Sequence, residues 1–207
     1  MMDHLSVHPV PLCLMLAGGQ SRRMGGGDKN LMLLGGVPLL SRVIARAVPA
    51  GLPVIINANG DADRFAGFGL PVVADVIEGF AGPLAGVLTG LETAATYHGD
   101  ITHVVSLATD APFLPLDLVM RLCNAVADGA QIAQARSNGR RHPVFAIWPV
   151  ALAPALRRAL VDDGLRRIDD FTSAYKCAIV DFEGKPDPFT NVNTPDDFAQ
   201  AEAVIAG

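Results

Sequence analysis

Four short apolar runs constrain the fold most: residues 12–16, 54–56, 71–73 and 104–107, which lead respectively into a glycine-rich loop, Asn57, Asp75 and Asp110. Runs this short and apolar, the last three of them rich in β-branched side chains, are those of strands covered on both faces. Helical patterns lie between several of them. Pro38 stands in a first helical turn, with Leu39, Leu40, Val43, Ile44, Ala47 and Val48 repeating behind it. Pro83 begins another pattern (Leu84, Val87, Leu88, Leu91), and Pro115 a third (Leu118, Val119, Leu122, Val126). Strands alternating with helices require right-handed crossovers, which predicts an α/β fold around a mainly parallel sheet. Residues 131–147 predict two more strands flanking the turn Ser137-Asn138-Gly139. Residues 196–205 predict a last helix, capped by Thr194 with Pro195 in its first position. Ligands of such sheets bind outside the carboxyl ends of the strands, where the polar residues named above stand.

No repeat, linker or composition break divides the 207 residues, so residues 1–11 read as a leader and 12–207 as a single domain. A net charge of −5 argues against a nucleic-acid or anionic-membrane surface, and no apolar run is long enough to span a bilayer. Positive charge is local, in the loop at 22–29 and at Arg136, Arg140, Arg141, Arg166 and Arg167, a distribution that suits small phosphorylated ligands. The three cysteines are odd in number and far apart. They offer neither a disulfide framework nor a Cys-x-x-Cys metal site and read as buried thiols of a reducing compartment. With no basic segment leading into an apolar one before Pro11, the expected location is cytoplasmic.

The loop Gly18-Gly19-Gln20-Ser21-Arg22-Arg23-Met24-Gly25-Gly26-Gly27-Asp28-Lys29 follows directly on the first apolar run. Bare backbone N–H groups after a strand, reinforced by Arg22, Arg23 and Lys29, make a cradle for a polyanion. It is not a Walker A loop, because Lys29 lies between Asp28 and Asn30. Nor is it a dinucleotide fingerprint, because Gly18 and Gly19 are adjacent and the third glycine position of the Gly25-x-Gly27 frame is Asn30. A mobile glycine loop with solvated basic residues is the alternative.

Asp110 is expected at the sheet edge beside this cradle. Nucleoside triphosphates travel with Mg²⁺, which takes one or two protein carboxylates and fills its shell with phosphate oxygens and water, so Asp110 is the candidate ligand. A turn aspartate before Pro112 is the alternative. A phosphatase nucleophile is disfavoured, because position 112, where a second acid is needed, is proline. Asn57 and Asp75 are placed to hydrogen-bond a base or ribose, or else to satisfy their own turns. The string Gly82-Pro83-Leu84-Ala85-Gly86 allows backbone to approach a flat ligand, while helix initiation explains it equally well. Asn191 and Asn193 point to the same side of an extended segment and are candidates to complete a metal or phosphate site. His142 is a minor candidate for positioning an acceptor, and Arg166 and Arg167 for its anionic group, with structural histidine and exposed helix face as alternatives.

Together these motifs resemble the molybdenum cofactor guanylyltransferases of the MobA type. The resemblance rests on Leu16-Ala17-Gly18-Gly19 with Ser21-x-Arg23-Met24-Gly25-Gly26, Asp28-Lys29, Asn57-Ala58-Asn59, Asp75, Gly82 to Gly86, Asp110-x-Pro112-Phe113, His142-Pro143 and Asn191-Val192-Asn193-Thr194-Pro195, all in the family's order. The extra leader and Val37, where relatives often carry lysine, depart from its pattern. The resemblance implies a Rossmann-like three-layer sandwich of the nucleotide-diphospho-sugar transferase type and GMP transfer from GTP to molybdopterin cofactor with Mg²⁺ and pyrophosphate release. It also implies transient contacts with other molybdenum cofactor proteins. Leu16, Ala17, Gly18, Gly19, Lys29, Asn57, Asp75, Gly82 and Asp110 are then expected at GTP, with Arg23, Lys29 and Asp110 carrying catalysis. Arg23 and Lys29 are expected on a solvent-open loop. His142, Arg166, Arg167, Asn191 and Asn193 are expected at the acceptor, and Asp110 with Asn193 at the metal. A cytidylyl- or sugar-phosphate nucleotidyltransferase of the same fold, and a nucleotide-binding sensor or assembly factor without turnover, stay open beside it.

Overall fold

The first apolar run becomes β1 (Pro11–Leu16) in a seven-stranded sheet of the computed structural model, which describes residues 9–18, 28–79, 82–96 and 100–207. After a 3₁₀ turn (Lys29–Leu31) come a two-stranded hairpin, β2 (Leu33–Leu34) and β3 (Val37–Pro38), and helix α1 (Leu39–Ala47). The chain continues through β4 (Val54–Asn57), β5 (Val72–Val73), α2 (Pro83–Thr96), β6 (His103–Ala108) and α3 (Leu118–Ala127). The remaining elements are β7 (Ile132–Ser137), β8 (Arg140–Pro149), α4 (Ala153–Val161), α5 (Ile168–Thr172), β9 (Cys177–Phe182) and α6 (Pro195–Ala206).

The strand order is β5-β4-β1-β6-β8-β7-β9, with β8 antiparallel to both neighbours and every other pair parallel. Alternating side chains of β1 show why helices must cover both faces: Cys13 and Met15 pack with Leu40 and Val43 of α1 and Leu118 and Leu122 of α3. Leu12 and Leu14 pack on the opposite face with Leu84 and Leu88 of α2, Leu156 of α4 and Phe171 of α5. The result is the expected three-layer α/β sandwich. Helix α6 lies outside it, burying Phe198 and Ala201 against Leu34 and Leu39.

Several boundaries differ from expectation. Pro11, assigned to the leader, pairs with His103 as the first residue of β1. Pro38 caps α1 from outside, and Pro115 opens a turn whose carbonyl accepts the Leu118 N–H at 3.2 Å, so α3 begins three residues later. Cys13 is buried, but Cys123 and Cys177 are only partly so; burial pushes the Cys13 thiol up to about 12 and the Cys123 thiol to about 11, leaving both protonated and unreactive. Strand β9 and helices α4 and α5 were not anticipated, although Leu156, Ala159 and Leu160 carry helical spacing. The hairpin turn at Asn138 (φ 47°) and Gly139 (φ 74°), by contrast, is the one its sequence calls for. Among the described residues, no helix is long and apolar enough to cross a membrane.

Candidate active site

Crossovers leave β1 toward β4 on one side and β6 on the other, opening a crevice at its carboxyl end. A cleft of about 1140 Å³ lies there, lined by Leu16, Gly18, Asn57, Asn59, Asp75, Glu78, Gly82, Asp110, residues 140–145 and Asn191. That is above the usual range for a single small-ligand pocket and leaves room for two reactants.

Behind the lining residue Asp110 stands Lys29, which, like Asn193, is not itself among the residues lining the cleft. The Nζ donates to Asp110 Oδ2 (3.1 Å) and to Asn193 Oδ1 (2.6 Å), and the lysine side chain is only 16% exposed. The expectation of a solvent-open position for Lys29 is therefore corrected: a clamp on either side of it folds the side chain inward. Asp28 caps the 3₁₀ turn through the Asn30 N–H (2.9 Å) and takes Arg64 Nε on its other oxygen (2.7 Å). Asn30, buried, donates to the Ala17 carbonyl (3.3 Å) and Asp28 Oδ1 (2.6 Å), while its own Oδ1 accepts the Thr109 hydroxyl. This ties the lysine turn to the ends of β1 and β6. Asn30→Ala leaves the Thr109 hydroxyl and the Ala17 carbonyl without that partner, and is expected to lower stability by on the order of 3 kcal/mol in urea unfolding. A midpoint equal to wild type would show that the clamp contributes nothing.

Asp110 lies two residues past β6, its carbonyl accepting the Val192 N–H at 2.8 Å, which brings the segment 191–193 against it. Among the described residues, Asp110 Oδ1 is buried without a hydrogen-bond partner. A buried acceptor in that state matches the carboxylate a hard cation uses, and one carboxylate suffices for Mg²⁺. The two asparagines separate in role: Asn191 faces the cleft and Asn193 holds Lys29, while Val192 between them is buried in the core of α6. The Thr194 cap is completed by Asp197, which accepts the N–H groups of Asn193 and Thr194 at 2.8 Å each.

At one end of the cleft, Asp75 is gripped by two amides: Asn57 Nδ2 on Oδ1 (2.9 Å) and Asn59 Nδ2 on Oδ2 (2.8 Å). Asn57 is itself buried and also donates to the Val73 carbonyl (3.2 Å), so it orients Asp75. Gly86 makes this fit possible. A Cβ there would meet Asn57 Oδ1 and come within 2.5 Å of Leu16 Cδ2, closing off the approach of α2 to the ends of β1 and β4. Both Asp75 oxygens keep lone pairs for a ligand with adjacent N–H donors, as in a guanine edge.

At the other end stand Arg140, Arg141 and His142 of β8. Arg141 is steered by Asp169 of α5 (3.6 Å), and His142 stacks on Phe189 with ring centroids 4.6 Å apart. Of the residues expected at the site, Leu16, Gly18, Asn57, Asp75, Gly82, Asp110, His142 and Asn191 line the cleft, and Ala17 is buried beneath it. Arg166 and Arg167 do not line it: Arg166 Nη1 donates to the carbonyl of Leu160 (3.1 Å), near the end of α4, and to that of its neighbour Leu165 (2.8 Å). The arginines that do line it are Arg140 and Arg141, which the sequence marks only as local charge. Gly19 and Arg23 lie outside the described residues.

Residues 13–176 match the MobA-like NTP transferase domain. The chain is 52% identical over 199 residues to a molybdenum cofactor guanylyltransferase of Rhodopseudomonas palustris (strain BisB5), covering 95% of each chain. It is 51% identical over 197 residues to one of Mesorhizobium japonicum, covering 93% of this chain and 94% of that one. Among solved structures it is similar to the molybdopterin-guanine dinucleotide biosynthesis protein A of Archaeoglobus fulgidus, with TM-score 0.75 and 21% identity over 94% of this chain and 98% of that one. The 4-diphosphocytidyl-2C-methyl-D-erythritol synthase of Anaerococcus prevotii shares the fold at TM-score 0.71 and 12% identity, over 97% of each chain.

Proposed function

Because the chain belongs to the MobA-like NTP transferase family and, within it, to the molybdenum cofactor guanylyltransferases, we propose that it transfers GMP from GTP to the phosphate of molybdopterin cofactor and releases pyrophosphate. The observation that carries this reading is the order of groups along one cleft: an amide-held carboxylate for a base, Asp110 with Lys29 paired behind it, then two arginines and a histidine. All border one edge of a single sheet, in keeping with a single catalytic domain.

In this reading Asp75 accepts from the guanine N–H groups, and the Gly18-Gly19 backbone and Lys29 hold the triphosphate. Asp110, with Asn193 beside it, would hold Mg²⁺, and the ion would supply Lewis-acid polarisation of phosphoryl oxygens there. Arg140 and Arg141 orient the acceptor phosphate for in-line attack on the α-phosphorus, with Asn191 and His142 alongside. Lys29 and Arg23 stabilise charge building on the leaving group. Both reactants are anions, so alignment and charge neutralisation supply the catalysis and no general base is assigned.

With purified molybdopterin and α-labelled GTP, labelled GMP should join the cofactor as pyrophosphate appears, and EDTA should stop both until Mg²⁺ is restored. Preference for CTP would support the cytidylyl reading. GTP binding without pyrophosphate release would support a sensor. Replacement of Asp75 by alanine is expected to cut the preference for GTP over CTP by about 100-fold, because the guanine donors lose their acceptors. Unchanged selectivity with reduced rate would make Asp75 purely structural.

A further inference from the structure

The hydrogen-bond environment of His142 specifies its protonation. Ser137 Oγ lies 2.8 Å from His142 Nε2 and 2.8 Å from Asp187 Oδ1. Asp187 also accepts the Phe189 N–H (2.9 Å) and Asn138 Nδ2 (2.8 Å). Burial pushes this carboxyl up, but the hydrogen bonds from Phe189, Ser137 and Asn138 outweigh it and hold it below the usual carboxylate range. An ionised carboxylate only accepts, so the single Ser137 proton goes to Asp187, and Ser137 offers the ring lone pairs alone. His142 Nε2 therefore carries hydrogen. Burial, aided by Arg140 and opposed by Asp187, lowers the imidazole below its ordinary value, so at neutral pH the ring is uncharged and Nδ1 is bare. Stacking on Phe189 (interplanar angle 18°) and an edge contact with Phe145 (6.5 Å between centroids) fix its plane.

A bare lone pair repels phosphate oxygens and pairs with a donor, whereas the neighbouring Arg140 and Arg141 suit phosphate. Resting on the reading above, we propose that His142 Nδ1 accepts a hydrogen bond from an N–H donor of the pterin of the second substrate, and that Ser137 and Asp187 are positioning residues that hold the ring in this tautomer. Orienting one ring nitrogen through the partner of the other is a general device for histidine.

Long-range ¹H–¹⁵N spectra of ¹⁵N-histidine-labelled full-length protein, assigned with His142→Gln, should show His142 as the Nε2–H tautomer. Ser137→Ala should lose that preference and Ser137→Thr keep it. In transfer assays Ser137→Ala should raise the KM for molybdopterin about tenfold with the KM for GTP unchanged, and Ser137→Thr should restore it. Binding of 6-hydroxymethylpterin, which has no phosphate, should weaken in His142→Ala, while binding of inorganic phosphate should not. An Nδ1–H ring in wild type, equal changes in both KM values, or loss of phosphate rather than pterin binding overturns the proposal. Should Ser137→Ala fail to fold, His142→Asn, which keeps an acceptor where Nδ1 stands, should bind the pterin more tightly than His142→Ala, and equal binding overturns it too. Failure of the broader reading is seen separately, as wild-type protein that does not transfer GMP to molybdopterin.

Discussion

Asp110→Asn is expected to reduce GMP transfer by on the order of 10³-fold with little change in the melting temperature of the ligand-free protein. The substitution keeps the size of the side chain and an oxygen for the Lys29 ammonium, which also retains Asn193 Oδ1 at 2.6 Å, so the local packing survives. What is lost is the charge, at a cleft carboxylate whose second oxygen is buried with no hydrogen-bond partner among the described residues. A neutral amide is a poor ligand for a hard divalent cation, so the Mg²⁺ dependence of GTP binding to the protein, measured beyond the heat of Mg²⁺ binding to free GTP, should be lost along with activity. A variant with wild-type rate and wild-type Mg²⁺ dependence would move the metal to other residues.

Lys29→Ala is expected to lower kcat by about 10²- to 10³-fold, the effect of removing one preorganised charge-stabilising group. Its effect on the free protein should differ from that of an exposed lysine. The Nζ donates to both Asp110 and Asn193, and its removal leaves both acceptors part-buried and without that donor. The melting temperature of the ligand-free variant should therefore fall. Mg²⁺ alone should raise it more than it raises that of wild type, because in wild type an ammonium already stands 3.1 Å from Asp110 Oδ2. Full activity at saturating substrates would take Lys29 out of the mechanism, and an unchanged melting temperature would show the bridge to be weak in solution.

The readings that held are those satisfied within a few residues of chain. The strand runs alternate core faces by their own pleat, Thr194 finds its capping partner three residues on at Asp197, and Asn138-Gly139 carries the backbone angles its turn needs. Asp110 and Asp75 were recognisable because each follows closely on an apolar strand, and strand ends in such sheets are where ligands bind. Arg140-Arg141 and Arg166-Arg167 illustrate the opposite case. As sequence the two pairs are alike, and nothing local distinguishes them. Strand β8 enters the sheet between β6 and β7, which delivers the first pair to the cleft, while the second follows α4, where Arg166 binds the Leu160 carbonyl near the helix end. Likewise Asn193 meets a lysine 164 positions earlier, and Asp187 meets Ser137 from 50 positions away. The sequence by itself determined the class of fold, the strand ends that border the cleft and the local caps and turns, since these depend on short-range sterics and hydrogen bonds. Only the tertiary structure decided which cations face the cleft, what Lys29 holds and which nitrogen of His142 is bare, because those depend on strand order and long-range contacts that no local pattern encodes.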